Sequence, residues 1–161
     1  MQYLYSPWRS AYLQEKKENC ECIFCHLSKV EVGQEWVFYK DEICYGVLNA
    51  YPYTPAHFMF IPHKHIDSPH LLQENEWLHI SKKVLQGIEM LYEFGAEGIN
   101  TGINIKEAGG AGIPDHLHWH ILPRFKRDTN FMTSIADCRI YGCDFEEIFN
   151  TISTLAKKNL K

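Results

Sequence analysis

The chain has 161 residues and a formal net charge of −4 with histidines neutral, from 16 basic and 20 acidic side chains. That length suits one domain with a sizeable core, and an aromatic content of 14% argues against extended disorder. The acidic balance excludes a basic, duplex-coating protein, so no nucleic-acid polymer is expected as a partner.

Residues 1–19 read as an irregular arm ending in the charged run Glu15-Lys16-Lys17-Glu18. Its first residues, Met1 to Trp8, are polar and broken by Pro7, so no secretory leader is expected. Cys22-Ile23-Phe24-Cys25 follows. Strands are predicted at Trp36–Tyr39, Ile43–Leu48 and His57–Ile61, with a turn at Asp41-Glu42 and a proline-bearing loop from Tyr51 to Pro55. Trp77, Ile80, Val84, Ile88 and Leu91 recur every three or four residues, which predicts a helix over 73–94 with one buried face and Gly95 as its C-cap. Gly98 to Ile105 reads as a strand despite its glycines, and Lys106 to Pro114 as a glycine-rich loop feeding the strand His116–Arg124. Asp144 opens a second helix with Glu147 placed as in a capping box. Phe145, Ile148, Phe149, Ile152 and Leu155 form its apolar stripe, and Lys157-Lys158 suit its dipole.

This order favours an α+β fold: a mainly antiparallel sheet of about five strands with two principal helices. One domain is expected over 1–161, with an arm carrying the C-x-x-C (1–25), a core (36–124) and a C-terminal helix (144–158). No stretch approaches ~18 apolar residues, so no membrane span is expected. Cys20, Cys22, Cys25, Cys44, Cys138 and Cys143 read as reduced thiols or metal ligands, and a cytoplasmic location is expected. Cys44, within a strand, reads as a small buried apolar residue, and Trp77 as core.

His116, His118 and His120 alternate with Leu117, Trp119 and Ile121. In a strand the three imidazoles share one face and the three large apolar groups share the other. Imidazole titrates near neutral pH, so that face suits chemistry better than packing. Two functional readings follow. The three rings could ligate a catalytic metal, or one could be a nucleophile with the others holding its substrate. Gly109, Gly110 and Gly112 precede them directly, and such a loop lets backbone N–H groups approach an anion. Placed before three imidazoles, the loop suggests a phosphate site, where a neutral histidine attacking phosphorus would form a phosphoramidate that is readily hydrolysed or transferred.

At these residues the chain resembles the histidine triad (HIT) superfamily. His116–Leu122 fits its signature, and Leu48–Tyr53 through His57, Ile61–His65 and Gly98–Asn104 resemble its flanking segments. The arm Leu4–Arg9, the Asn-x-Tyr-Pro-Tyr loop, Gly-x-Asn-x-Gly-x-Asn and Asp128–Phe131 look most like the bacterial diadenosine tetraphosphate phosphorylase branch. The resemblance implies a HIT-like fold and His118 as nucleophile at the α-phosphorus of a nucleotide, forming an adenylyl-histidine. It implies that His120, His57 and His116 line the phosphate site, that a backbone carbonyl holds the other nitrogen of His118, and that Asn49, Asn104 and Gly112 contact substrate. Water would then make a hydrolase and inorganic phosphate a phosphorylase. Alternatives are a nucleoside phosphoramidase releasing AMP, a metal-dependent hydrolase with the triad around zinc, and a nucleotide-binding protein without turnover. No organic cofactor is expected, and a homodimer is expected by analogy. One departure is Gly112-Ile113-Pro114, where several members carry Ser, Thr or Gln toward the phosphate.

The spacing Cys22-x-x-Cys25 suits a zinc knuckle, a redox pair or two buried thiols. The resemblance implies a closed, structural zinc site completed by His65 and His116. His116 is then a metal ligand or a phosphate-side group, but not both. Cys20, His26 and His63 are competing ligands, and His70 and His79 read as surface groups.

Overall fold

The computed structural model describes residues 22–126, 128, 135 and 142–161. The arm up to Cys20, the residues Thr129-Asn130-Phe131 and Cys138 lie outside the described residues. The described elements are α1 (Ile23–Leu27), β1 (Val37–Lys40), β2 (Cys44–Leu48), β3 (Phe58–Pro62), α2 (Glu74–Phe94), β4 (Gly98–Ile103), β5 (Trp119–Arg124) and α3 (Phe145–Asn159). The strands form one antiparallel sheet in the order β1-β2-β3-β5-β4.

Both faces of the sheet are used, because side chains alternate along each strand. Phe38, Leu48, Phe58, Phe60, Trp119 and Ile121 join Ile80, Val84, Leu91, Ile148 and Ile152 in the main core, beneath α2 and α3. Val37, Tyr45, Val47, Met59 and Ile61 turn the other way and pack with Phe24 and Leu27 of α1. Burying each such side chain stabilises by roughly 1.5–3 kcal/mol.

Local sequence explains the helix ends. Gln73 and Glu76 form a reciprocal capping box at the start of α2, and Gly95 ends it with φ 104°. Asp144 accepts hydrogen bonds from the backbone N–H groups of Glu146 and Glu147 and so caps α3. Gly87 is where α2 meets the sheet, since a Cβ there would lie 2.9 Å from the Phe60 ring. Trp36 meets Phe145 and Phe149 edge-on, tying the start of β1 to α3.

Several expectations shift. The ladder of β5 starts at Trp119 and not at His116, because the His116 carbonyl accepts from the His118 ring and the Leu117 N–H goes to the carbonyl of Ile66. β4 ends at Ile103, two residues early. Trp77 sits at the rim, 39% exposed, with its ring 5.2 Å from that of Trp119. α1 is a third helix, one turn long, that carries the C-x-x-C.

Candidate active site and candidate metal centre

The apolar anchors Leu117, Trp119 and Ile121 are buried in the main core. The three histidines therefore lie on the other side of the chain, where His116 and His118 are buried too. Nδ1–H of His118 donates to the carbonyl oxygen of His116 at 2.7 Å. A neutral ring held this way has its lone pair on Nε2. Burial pushes the His118 pKa below the ordinary imidazole value, opposed by that hydrogen bond, so the neutral ring is favoured. The Phe24 ring lies 5.0 Å from it and helps to exclude water.

His120 and His57 form the second part of the site. Their rings approach through Nε2 of His57 and Nδ1 of His120, 3.0 Å apart. The direction of that bond follows from what surrounds His57. Tyr53 N–H donates to its Nδ1 at 3.2 Å, and the Asn49 side-chain amide approaches the same atom at 3.3 Å. Asn49 Oδ1 accepts from Tyr51 N–H, which orients the amide with its N–H₂ toward His57. Nδ1 of His57 is thus the acceptor, and Nε2–H donates to His120. Neutral His120 then carries its own proton on Nε2. Its ring lies 4.8 Å from that of His118. One ring supplies a lone pair and its neighbour supplies an N–H, the pair of groups a displacement at phosphorus requires.

The remaining expected contacts are placed as follows. Asn49 sits at the site but is engaged with Tyr51 and His57. Asn104 lies beside His120 in a shallow groove and donates to the carbonyl of Gly110 at 3.3 Å. Gly112 is exposed on the loop before His116. Gly110, at φ 88°, donates its N–H to Glu107 within the loop, so this amide is already satisfied. Arg124 pairs with Asp128 and donates to Asn100 Oδ1 at 2.9 Å.

His116 points to a different centre. Its Nε2–H donates to the carbonyl of Pro62 at 3.0 Å, which leaves the lone pair on Nδ1. That atom lies 3.4 Å from Cys22 Sγ and 3.7 Å from Cys25 Sγ, and Cys25 Sγ lies 3.2 Å from His65 Nδ1. All four donor atoms fall within 4.8 Å of one another. Tetrahedral zinc with Zn–S near 2.3 Å and Zn–N near 2.0 Å spaces sulfur and nitrogen ligands about 3.5 Å apart. The four residues fit such an ion, and the Pro62 carbonyl acts as the outer partner that fixes the ligating tautomer. Tyr45 hydroxyl donates to the carbonyl of Phe24 at 2.7 Å and steadies the knuckle. His26 pairs instead with Glu35, and His63 donates to the carbonyl of Asp41, so neither joins the cluster.

The sequence alone gave no role to Phe24, Tyr53 or Pro62. Phe24 had a signal, being an aromatic inside the C-x-x-C. Tyr53 and Pro62 act through backbone atoms, which residue type does not announce. A second cluster joins Asp41, Cys44 and His79. The Lys83 ammonium 3.9 Å from Asp41 disfavours a cation there.

The HIT domain family model matches residues 31–127. AP-4-A phosphorylase of Mycobacterium tuberculosis is 27% identical over 149 residues, covering 87% of this chain and 76% of the relative. Protein hit of Bacillus subtilis is 28% identical over 142 residues, covering 85% and 93%. Among solved structures, a Zn-bound histidine triad family protein from Mycobacterium smegmatis superposes with a TM-score of 0.69 at 22% identity, covering 85% of this chain and 94% of that one.

Proposed function

The chain belongs to the HIT domain family, whose members are nucleotide hydrolases or transferases, and we propose that it transfers or hydrolyses a nucleotidyl group through His118. The observation that carries this reading is the bond from His118 Nδ1–H to the His116 carbonyl, which leaves the lone pair on Nε2 of a buried ring whose neutral form is favoured.

The step balances as follows. The Nε2 lone pair of His118 forms a bond to the α-phosphorus while the bond from that phosphorus to the bridging oxygen breaks. The leaving oxygen takes the electron pair, is stabilised by a hydrogen bond from Nε2–H of His120, and departs as a phosphate anion that takes any proton from solvent. His57 keeps its Nε2–H on His120 Nδ1 throughout and transfers no proton, and the acceptor of the second step attacks the adenylyl group and passes its own proton to solvent. That acceptor is water or inorganic phosphate, and its attack releases His118. Diadenosine tetraphosphate is the first-choice substrate, supported by the name of the M. tuberculosis relative. Asn104 and Gly112 are proposed to approach the phosphates, and Asn49 to hold His57 in register beside the substrate.

Zinc is proposed at Cys22, Cys25, His65 and His116, on the fit of that donor set. Bound there, the ion is closed and supplies structure, not Lewis acidity. His116 is therefore assigned to the metal centre through its side chain and to the reaction only through its carbonyl oxygen. A zinc hydrolase built on the whole triad is disfavoured, since His118 and His120 make their contacts away from the cysteines. One domain over 1–161, two copies per assembly and a cytoplasmic location complete the proposal. No helix of the described residues is long and apolar enough to cross a membrane.

Incubation with diadenosine tetraphosphate, with and without inorganic phosphate, tests the reading. ADP and ATP appearing only with phosphate mark a phosphorylase. AMP and ATP regardless of phosphate mark a hydrolase. Turnover confined to adenosine phosphoramidate marks the phosphoramidase alternative. Full activity in His118→Ala toward every nucleotide tried overturns the mechanism.

A further inference from the structure

The two thiols of the candidate metal centre have a chemistry of their own. Cys22 caps the start of α1 and its carbonyl accepts the His26 N–H at 3.0 Å, so Cys25 follows it within one helical turn. That spacing keeps two α-carbons within the roughly 4.4–6.8 Å that a disulfide spans. The two Sγ atoms already lie within 4.8 Å of each other. Both cysteines are half-buried, and the edge of the cluster where Cys25 meets His65 is open to solvent. A small oxidant can therefore reach the pair, Cys25 first.

The other described cysteines differ. Cys44 is fully buried, and burial pushes its thiol well up, which keeps it protonated and slow to react. Cys143 is exposed but joins no cluster of metal-ligating side chains among the described residues. A thiol on zinc, or beside an imidazolium, is held as the thiolate, the form that reacts.

The pair also sits one side chain from the proposed nucleophile. Phe24 lies between the two cysteines in sequence, is 4% exposed, and packs its ring on both His116 and His118. His116 in turn faces the sulfurs with Nδ1 and holds the His118 ring with its carbonyl. A rearrangement at either sulfur is therefore passed to His118 by two routes.

We propose that Cys22 and Cys25 form a peroxide-sensitive switch, whose closure into a disulfide gives up the metal and withdraws Phe24 and His116 from His118. The Cys25 thiolate attacks one oxygen of hydrogen peroxide, the O–O bond breaks, and hydroxide leaves and takes a proton from solvent. The product is a sulfenic acid. The Cys22 thiolate then attacks that sulfur, the S–O bond breaks, and a second hydroxide leaves to become water. The two sulfurs lose two electrons and the peroxide oxygens gain them. Neither sulfur is then a thiolate, so two members of the Cys22, Cys25, His65 and His116 donor set are lost. A dithiol reductant reverses the step by exchange. The inhibitory half of the proposal rests on His118 as nucleophile, and the redox half does not.

The zinc-loaded full chain, treated with hydrogen peroxide, tests it. Zinc release is read with a chromophoric chelator, the disulfide by peptide mass spectrometry, local opening by amide hydrogen exchange, and function by adenylyl transfer from diadenosine tetraphosphate to His118. Zinc and the Cys22–Cys25 disulfide are expected to appear together. Amides of 22–27 and 116–118 should exchange at least about tenfold faster, with α2 unchanged. Adenylyl transfer should fall by at least about tenfold and return on adding a dithiol and zinc. Cys143→Ser should respond as the parent does. A parent chain that takes up no zinc, a disulfide to any other cysteine, zinc retained after the disulfide forms, unchanged exchange, or full adenylyl transfer in the oxidised chain overturns the proposal. A reduced chain that never carries an adenylyl group on His118 sinks the functional reading instead, while zinc release, disulfide and exchange still decide the redox half.

Discussion

His116 and His118 share one hydrogen bond of 2.7 Å, from the His118 ring to the His116 carbonyl, and through it the candidate metal centre touches the candidate nucleophile. The His116 side chain faces Cys22 and Cys25 while its backbone faces the reaction site. Phe24, inside the same C-x-x-C, packs on both rings at 5.6 and 5.0 Å. A nucleophile held at one nitrogen does not need to be found among tautomers at each turnover. His118→Ala is expected to lower kcat by at least about a thousandfold while the chain still binds nucleotide. Steady-state kinetics beside equilibrium titration check both halves. Loss of binding in proportion to loss of rate would reassign His118 to substrate holding.

Much of this was legible in the sequence, for physical reasons. A period of two over 116–122 fixes which side chains share a face, and the anchors Leu117, Trp119 and Ile121 do lie in the main core. The stripes of α2 and α3 and the cap at Gly95 follow from periodicity and backbone freedom in the same way. The start of β5 was not legible, because the Leu117 N–H goes to the Ile66 carbonyl and the His116 carbonyl accepts from the His118 ring, so neither backbone group joins the ladder. Nor was the separation of His116 from its two neighbours. Alternation puts three histidines on one face but says nothing of how the chain bends before Trp119. The Tyr53 contact was hidden for another reason: a backbone N–H reaching a ring nitrogen four residues on depends on loop geometry, not on residue type.

His57 is expected to act through His120. With Nδ1 satisfied by Tyr53 N–H, its Nε2–H fixes the proton of His120 on the nitrogen that serves the leaving group. His57→Ala should lower kcat by about a hundredfold with little change in KM. A leaving group that is a weaker base relies less on that hydrogen bond, so the loss should shrink with such a substrate. An equal loss on good and poor leaving groups would assign His57 a packing role.

Removal of metal should destabilise before it inhibits. α1 is a single turn of five residues and is too short to persist alone. A closed ion on Cys22, Cys25, His65 and His116 would tie it to the histidine segment. Cys25→Ala is expected to carry no zinc by atomic emission, against one ion per chain in the parent protein. If the tie is worth about 3 kcal/mol, the melting temperature falls by roughly 10 °C in a chain of this size. Full metal content in Cys25→Ala would remove this residue from the site.

Asp41 organises the opposite end of the sheet. Burial alone would raise its carboxyl, but hydrogen bonds from the Tyr39 hydroxyl, the Cys44 and Ile43 amides and the His79 ring outweigh it and hold the pKa at about 2. The ordinary value of 3.8 applies to the unfolded chain. The unfolded state therefore takes up the proton first as pH falls. The contribution is full above pH 3.8 and fades toward pH 2, and it amounts to about 2 kcal/mol for a side chain only 20% exposed. Asp41→Asn should be less stable at pH 7 and should lose less on going to pH 2.5. Urea unfolding at the two pH values checks the sign, and parallel pH profiles for the two chains would contradict it.

Gly87 sets how closely α2 lies on the sheet, and through the sheet it bears on the histidines. An added Cβ would stand 2.9 Å from Phe60, 3.1 Å from Phe58 and 3.2 Å from Ile121. Alanine is the better helix former by about 1 kcal/mol, which opposes the clash. Overpacking a filled core costs about 1–3 kcal/mol, so Gly87→Ala is expected to be net destabilising by about 1 kcal/mol. Phe58 follows His57 and Ile121 follows His120, so a displaced ring or methyl moves the two strands that hold their 3.0 Å contact. Turnover should therefore fall along with the urea midpoint. A lower midpoint with unchanged kcat would mean that α2 lifts as a body and leaves β3 and β5 where they are.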